Sequence, residues 1–120
     1  MSAKIRNHKD LDCWKDSIIL VKEIYKLTKS FPAEETYALT SQMHRAAISI
    51  PSNIAEGAGR NHSKEFIQFL YIAQGSLTEL ETQLIISEEL GYCHTLDELH
   101  NKILSIKKMI KGLIKFLKDK

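Results

Sequence analysis

The sequence predicts an all-α fold, an antiparallel up-down-up-down four-helix bundle. Three observations predict it. No stretch of the 120 residues alternates apolar and polar with period two, so there is no strand signal. Four blocks repeat apolar residues at spacings of three and four. Breaks at "FPAEE", "GAGR" and Gly91 leave only short connections, which favour antiparallel neighbours within one chain. An elongated helical-hairpin dimer is the alternative use of the same helices. All 120 residues are read as a single bundle domain.

The first block runs from about residue 11 to 30. Leu11, Trp14, Ile18, Val21, Tyr25 and Thr28 form one stripe, and Leu20, Ile24, Leu27 and Phe31 form a second beside it. One stripe would satisfy a monomeric bundle; two suggest a second surface. Asp10 is a candidate N-cap, and Lys26 and Lys29 suit the negative end of the helix dipole. Pro32 disfavours helical geometry at Phe31 and ends the block.

The second block, about 35 to 59, has Leu39, Met43, Ala46, Ile50, Ile54 and Gly57 on its inner line. It contains Pro51, which lacks an N–H and crowds the carbonyl of Ala47. Three outcomes compete: a helix ending near Ile50, a kinked continuous helix, or a loop. The kinked helix is preferred, because Ile50, Ile54 and Gly57 stay in phase across the proline. Ala46, Ala47, Ser49, Ser52, Ala55, Gly57, Ala58 and Gly59 leave one side nearly bare, so a neighbouring helix can approach closely. Pro51, Asn53, Glu56 and Gly57 form the candidate oligomer or helix-contact motif. Asn53 and Glu56 serve either to satisfy the disturbed backbone or to touch a subunit or ligand.

The third block, about 63 to 90, carries Phe66, Phe69, Ala73, Leu77, Leu80 and Leu84 on one stripe. Ser63 is a candidate N-cap, and Gly91 fits the position past the helix end that needs a positive φ. Glu88 and Glu89 oppose the dipole there. The fourth block, about 95 to 118, opens with Thr95 and Glu98 at capping-box spacing. Leu96, Leu99, Ile103, Ile106, Ile110, Leu113 and Leu117 follow a heptad.

Apolar content of 43% and charged content of 27% are ordinary for a folded water-facing chain. No apolar run approaches the roughly 20 residues that span a bilayer. "MSAKIRNHKD" has no apolar core and so no secretory character, which makes a cytoplasmic address the expectation. Cys13 and Cys93 lack C-x-x-C spacing and are expected to be reduced, buried small hydrophobes. The net charge of +2 hides a segregation: residues 61 to 100 hold one basic and seven acidic side chains, and residues 101 to 120 hold seven lysines and one aspartate.

Catalytic and metal chemistry find no pattern. His8, His44, His62, His94 and His100 are scattered, and His94 and His100 are expected in solvent. Glu79 and Glu81, two apart on a helix, face different ways. "GAGR" lacks the lysine and spacing of a phosphate cradle. No enzyme activity, metal or cofactor is therefore expected. Binding chemistry points to the fourth block, where Lys107, Lys108, Lys111, Lys115 and Lys118 share about one 100° arc at roughly 100° per residue. Such an array suits phosphate backbones, or it is simply a solvated helix face. Arg45 and Arg60 complete the candidate nucleic-acid-binding set. Phe66, Phe69 and Tyr71 could stack bases, although helical spacing places most of them in the core.

"FPAEETYALTSQMHRAAISIPSNIAEGAGR", followed by "FIQFLYIAQGSLTELETQL" and "LGY", closely resembles the four-helix bundle family also called 23S rRNA intervening-sequence proteins. The features that carry the resemblance are Trp14, Ile24-Tyr25, Thr28, Phe31-Pro32, Arg45 through Gly57 and Ala73 through Gln83. His44 stands where many relatives carry arginine. The resemblance implies a ring-like homopentamer without enzymatic activity. Some relatives are encoded inside intervening sequences of 23S rRNA genes. Others look like the basic accessory protein of diversity-generating retroelements, which works with a reverse transcriptase and binds nucleic acid. Two functions follow as expectations: a nucleic-acid-associated accessory protein that binds RNA or DNA, or a protein-only assembly module whose acidic and basic segments pair between subunits.

Overall fold

Helical periodicity is realised along most of the chain. The computed structural model describes residues 7–120, so much of the N-terminal stretch read for a leader lies outside the described residues. Four helices form: α1 Asp12–Thr28, α2 Leu39–Ala58, α3 Ser63–Glu89 and α4 Asp97–Lys118, with no strand among the described residues. They make a bundle of 49 × 24 × 18 Å. α2 packs on α1 and α3, and α4 packs on α1 and α3. No helix among the described residues is long and apolar enough to cross a membrane.

α1 buries the second of its two stripes. Cys13, Ser17, Leu20, Ile24 and Thr28 face the core, followed by Phe31. Trp14 and Val21 are only partly covered, and Ile18 and Tyr25 are exposed. Two small polar or weakly apolar residues, Cys13 and Ser17, extend the Leu20–Ile24 line; Ser17 is admitted because its hydroxyl donates to the Trp14 carbonyl at 2.8 Å. Asp10 does not cap α1. It ends a short 3-10 turn, His8–Asp10, whose own cap is Asn7, and Leu11 takes the N-cap position without a side-chain bond.

A second 3-10 turn, Ala33–Glu35, precedes α2. Glu35 ties the region together: its carboxylate accepts from the Leu39 N–H at 3.4 Å and from the Tyr92 hydroxyl at 2.6 Å. It thereby satisfies a free donor at the α2 N-terminus and anchors that end to the α3–α4 connection. α2 then runs as an α-helix through Pro51, with Met43, Ala46, Ala47, Ile50, Pro51, Ile54 and Gly57 buried.

α3 begins at Ser63 with His62 as N-cap and no side-chain cap bond. Its C-terminus closes as the glycine predicts. Gly91 has φ 77°, the Tyr92 N–H donates to the Ser87 carbonyl, and the Gly91 N–H donates to the Glu88 carbonyl, each at 3.0 Å. This is the paired closure that satisfies the last carbonyls of a helix. The Thr95–Glu98 box does not form. Thr95 has φ 56°, away from the extended geometry of a capping residue, and Leu96 becomes the N-cap. Along α4, Ile114 rather than Leu113 is buried, because a straight helix advances at 3.6 residues per turn and drifts off a strict heptad.

Leu20, Ile24, Met43, Ile50, Ile54, Leu70, Leu77, Leu80, Leu84, Ile103, Ile106 and Ile110 are fully buried. At about 1.5–3 kcal/mol each, they carry the apolar driving force for folding.

Candidate nucleic-acid interface and helix-contact segment

The small residues of α2 meet α3 at close range. A Cβ placed on Gly57 would lie 2.8 Å from the Phe69 Cβ and 2.9 Å from the Phe66 Cδ1. Only hydrogen fits there. One to two turns earlier, Asn53 donates to the Ser49 carbonyl at 2.8 Å and to the Ser49 hydroxyl at 2.9 Å. The Ser49 hydroxyl in turn meets the Ser76 hydroxyl of α3 at 2.8 Å. Asn53 therefore bonds to its own helix beside Pro51, and Ser49 links that bond to α3. Glu56 points away from this network, exposed and paired with Arg60 at 2.8 Å. Asn53 and Gly57 lie on the α3-facing side of α2, Pro51 instead borders Trp14, Ile18 and Val21 of α1, and Glu56 belongs to the end of the bundle with Arg60.

Arg60 is held by three neighbours. Besides Glu56 it lies 4.0 Å from Glu65, and its guanidinium covers the Phe69 ring at 4.9 Å. It also lines a shallow hollow with His62 and Lys120. Arg45 is exposed on the first half of α2, away from this end. The structure therefore does not gather Arg45 with Arg60.

The α4 lysines divide. Lys107 pairs with Glu81 of α3 at 3.3 Å, which neutralises it locally. Lys111, Lys115 and Lys118 border a cavity of about 490 Å³ between α3 and α4, together with Tyr71, Gln74, Ile114 and Asp119. Lys108 is exposed and is not among the lining residues. None of Lys108, Lys111, Lys115 and Lys118 has a carboxylate within ion-pair distance among the described residues. Lys118 donates to the Tyr71 hydroxyl at 3.1 Å.

Of this groove, sequence reasoning missed Gln74, and Glu81 stands just outside the lining as the partner of Lys107. Tyr71, one of the three aromatics that could stack bases, is 51% exposed. Its position one residue after buried Leu70 is the signal that could have turned it outward. Gln74 and Glu81 lie on the same α4-facing edge of α3, spaced by seven, but only the packed structure shows that Lys107 meets both. Gln74 donates to the Lys107 carbonyl at 3.1 Å.

The histidines are less idle than their scatter suggests. His100 is not free in solvent: its Nε2 lies 3.0 Å from Glu88, which gives that misplaced carboxylate a partner. His44 stacks on Tyr25 with ring centroids 3.8 Å apart, and its Nε2 lies 2.8 Å from the Thr28 hydroxyl. Burial holds the His44 imidazole below its ordinary pKa of 6.5. The unfolded chain therefore takes the proton more readily. The stability contribution is complete above pH 6.5 and is lost as pH falls from there toward the lower folded value. Acidification from about pH 8 to pH 5 should lower the melting temperature less in His44→Gln than in the unaltered protein. An equal drop in both would assign the acid sensitivity to other groups.

Cys13 is buried and its thiol is pushed up to about 11; Cys93, partly buried, is also raised by burial, with Glu88 adding to it. Both cysteines are free. No group of three or more His, Cys, Asp or Glu side chains among the described residues could hold a metal ion.

Four amphipathic helices, a backbone-close α2–α3 contact built on glycine and serine, and a lysine-lined groove define an all-α helical-bundle protein. The model of the 23S rRNA-intervening sequence protein family matches residues 9–112, and the chain belongs to that family. No curated protein matches the chain significantly.

Proposed function

We propose that this protein is a non-enzymatic, self-associating four-helix bundle that serves as a nucleic-acid-associated accessory protein in the cytoplasm. The observation that carries this reading is the group of lysines on the second half of α4 that have no acidic partner among the described residues, three of which converge on one groove. Unpaired cations bind phosphate backbones by releasing counterions, with no need for sequence readout. Family membership supports assembly as a homopentamer, in which each groove would recur and weak contacts would add. A reverse transcriptase as protein partner rests on the resemblance to retroelement accessory proteins.

The antiparallel up-down topology, with α2 kinked at Pro51, belongs to the same proposal. It is supported by pairings that run in opposite senses along neighbouring helices. Met43 meets Ser87 while Ser49 meets Ser76, and Glu88 meets His100 while Tyr71 meets Lys118. The missing N–H of Pro51 supports the kink.

A protein-only assembly module is the second reading. It is favoured by a partly exposed apolar face where Trp14, Ile18 and Val21 of α1 border a cavity of about 340 Å³ with Ile48, Pro51 and Ala55 of α2. One experiment separates the two: titration of the protein against RNA at low and moderate salt, run beside a sizing column at the same salts. The accessory reading expects RNA binding that weakens with salt while the oligomer persists. Salt-sensitive assembly with no RNA affinity would select the module.

A further inference from the structure

We infer that the α3–α4 groove receives an unpaired nucleobase, so that the protein binds single-stranded nucleic acid in preference to duplex. This deepens the nucleic-acid reading and rests on it. A duplex needs only a convex row of cations along its phosphates. The α4 lysines do something different: Lys111, Lys115 and Lys118 stand around a concavity. Its volume of about 490 Å³ falls among small-ligand clefts, which span about 300–1,000 Å³. Its floor includes the buried side chain of Ile114.

One wall is an aromatic ring that is free to stack. Of the α3 aromatics, Phe66 is buried and Phe69 lies beneath the Arg60 guanidinium, whereas Tyr71 remains half exposed. The Lys118 ammonium donates to the Tyr71 hydroxyl and sits 5.7 Å from the ring centroid, which fixes ring and cation beside one another. A base on the Tyr71 face would place its flanking phosphates among the lysines, the combination that single-strand binders use. Asp119 is the one acidic residue in the lining, against three lysines.

Gln74 closes one edge of the groove. Its amide nitrogen donates to the Lys107 carbonyl at 3.1 Å, which ties α3 to α4 beside the lining.

The test compares labelled single-stranded RNA and DNA with duplexes of the same sequence, by fluorescence anisotropy at one salt concentration. Single strands should bind about tenfold more tightly. Tyr71→Ala should weaken single-strand binding by about tenfold and leave duplex binding unchanged, and Tyr71→Phe should retain the single-strand preference. Equal affinity for both forms, or equal loss for both in Tyr71→Ala, would overturn the base pocket while leaving phosphate binding by α4 intact. Binding of neither form would overturn the nucleic-acid reading itself, and the pocket with it.

Discussion

Replacing Gly57 by valine is expected to destabilise the bundle by roughly 3 kcal/mol or more, and by alanine by about 2 kcal/mol. The reason is geometric. The added Cβ would stand 2.8 Å from the Phe69 Cβ, 2.9 Å from the Phe66 Cδ1 and 3.2 Å from the Phe66 carbonyl oxygen. The Phe66 ring can rotate away. The Phe69 Cβ cannot, because it is bonded to the α3 backbone, so relief requires the two helices to separate. Separation would disturb the Ser49–Ser76 hydroxyl contact two turns away and loosen Ile54. Alanine recovers about 1 kcal/mol of helix propensity over glycine, and valine recovers less. Gly75 and Gly112 are the controls. Both are exposed in helices with nothing within 4 Å of an added Cβ, so alanine at either should stabilise by about 0.5–1 kcal/mol. Denaturant midpoints at constant slope report all four variants. A neutral Gly57→Val would show that α2 and α3 do not meet as tightly as described.

That contact was legible in the sequence because its signal is local. A glycine in phase with Ile50 and Ile54, on a side stripped of large side chains, can only face a close neighbour. The identity of the neighbour was not legible, since Phe66 and Phe69 belong to another block and nothing in spacing joins them to Gly57. The helices were legible for a related reason: apolar periodicity survives Pro51, and burial of Met43, Ile50 and Ile54 follows the same line.

α1 shows where that reasoning stops. Two stripes, one through Trp14, Ile18 and Tyr25 and one through Leu20 and Ile24, lie side by side, and periodicity does not say which of them is buried. Hydrophobicity alone cannot rank two adjacent stripes when Cys13 and Ser17 fill the core positions facing α2 and α4 with small side chains. The caps failed for another reason. Asp10, Ser63 and Thr95 have suitable side chains, but capping depends on the backbone angle at one residue, and that angle is set by the connection. Thr95 is the clearest case, with its φ of 56°. The lysine array was visible as an arc on a wheel. Its division into a neutralised Lys107 and a groove-lining trio needed Glu81 and Tyr71, which arrive from α3 only when the chain is folded.

This division shapes the second large effect. Converting Lys108, Lys111, Lys115 and Lys118 together to glutamine should reduce nucleic-acid affinity on the order of a hundredfold near physiological salt. Each lost phosphate contact lowers the slope of log affinity against log salt by about 0.7 to 0.9, so four lower it by about three. Lys107→Gln is the internal contrast. Its ammonium already spends its charge on Glu81, so removing it should change the slope by less than one contact's share. The fold should tolerate the quadruple variant, because none of the four forms an ion pair among the described residues; Lys118 loses only an exposed bond to Tyr71. The same protein on a sizing column then decides between the two readings of the bundle. If affinity and salt slope fall together while the oligomer is unchanged, the α4 lysines serve phosphates. If the oligomer dissociates and affinity was absent from the start, the same lysines serve the acidic side chains of a neighbouring subunit, and the accessory reading fails. Charge alone predicts both outcomes equally. What favours phosphates is that the lysines converge on a groove left open beside a half-exposed tyrosine, whereas the one lysine with an acidic partner across the α3–α4 seam, Lys107, is already paired.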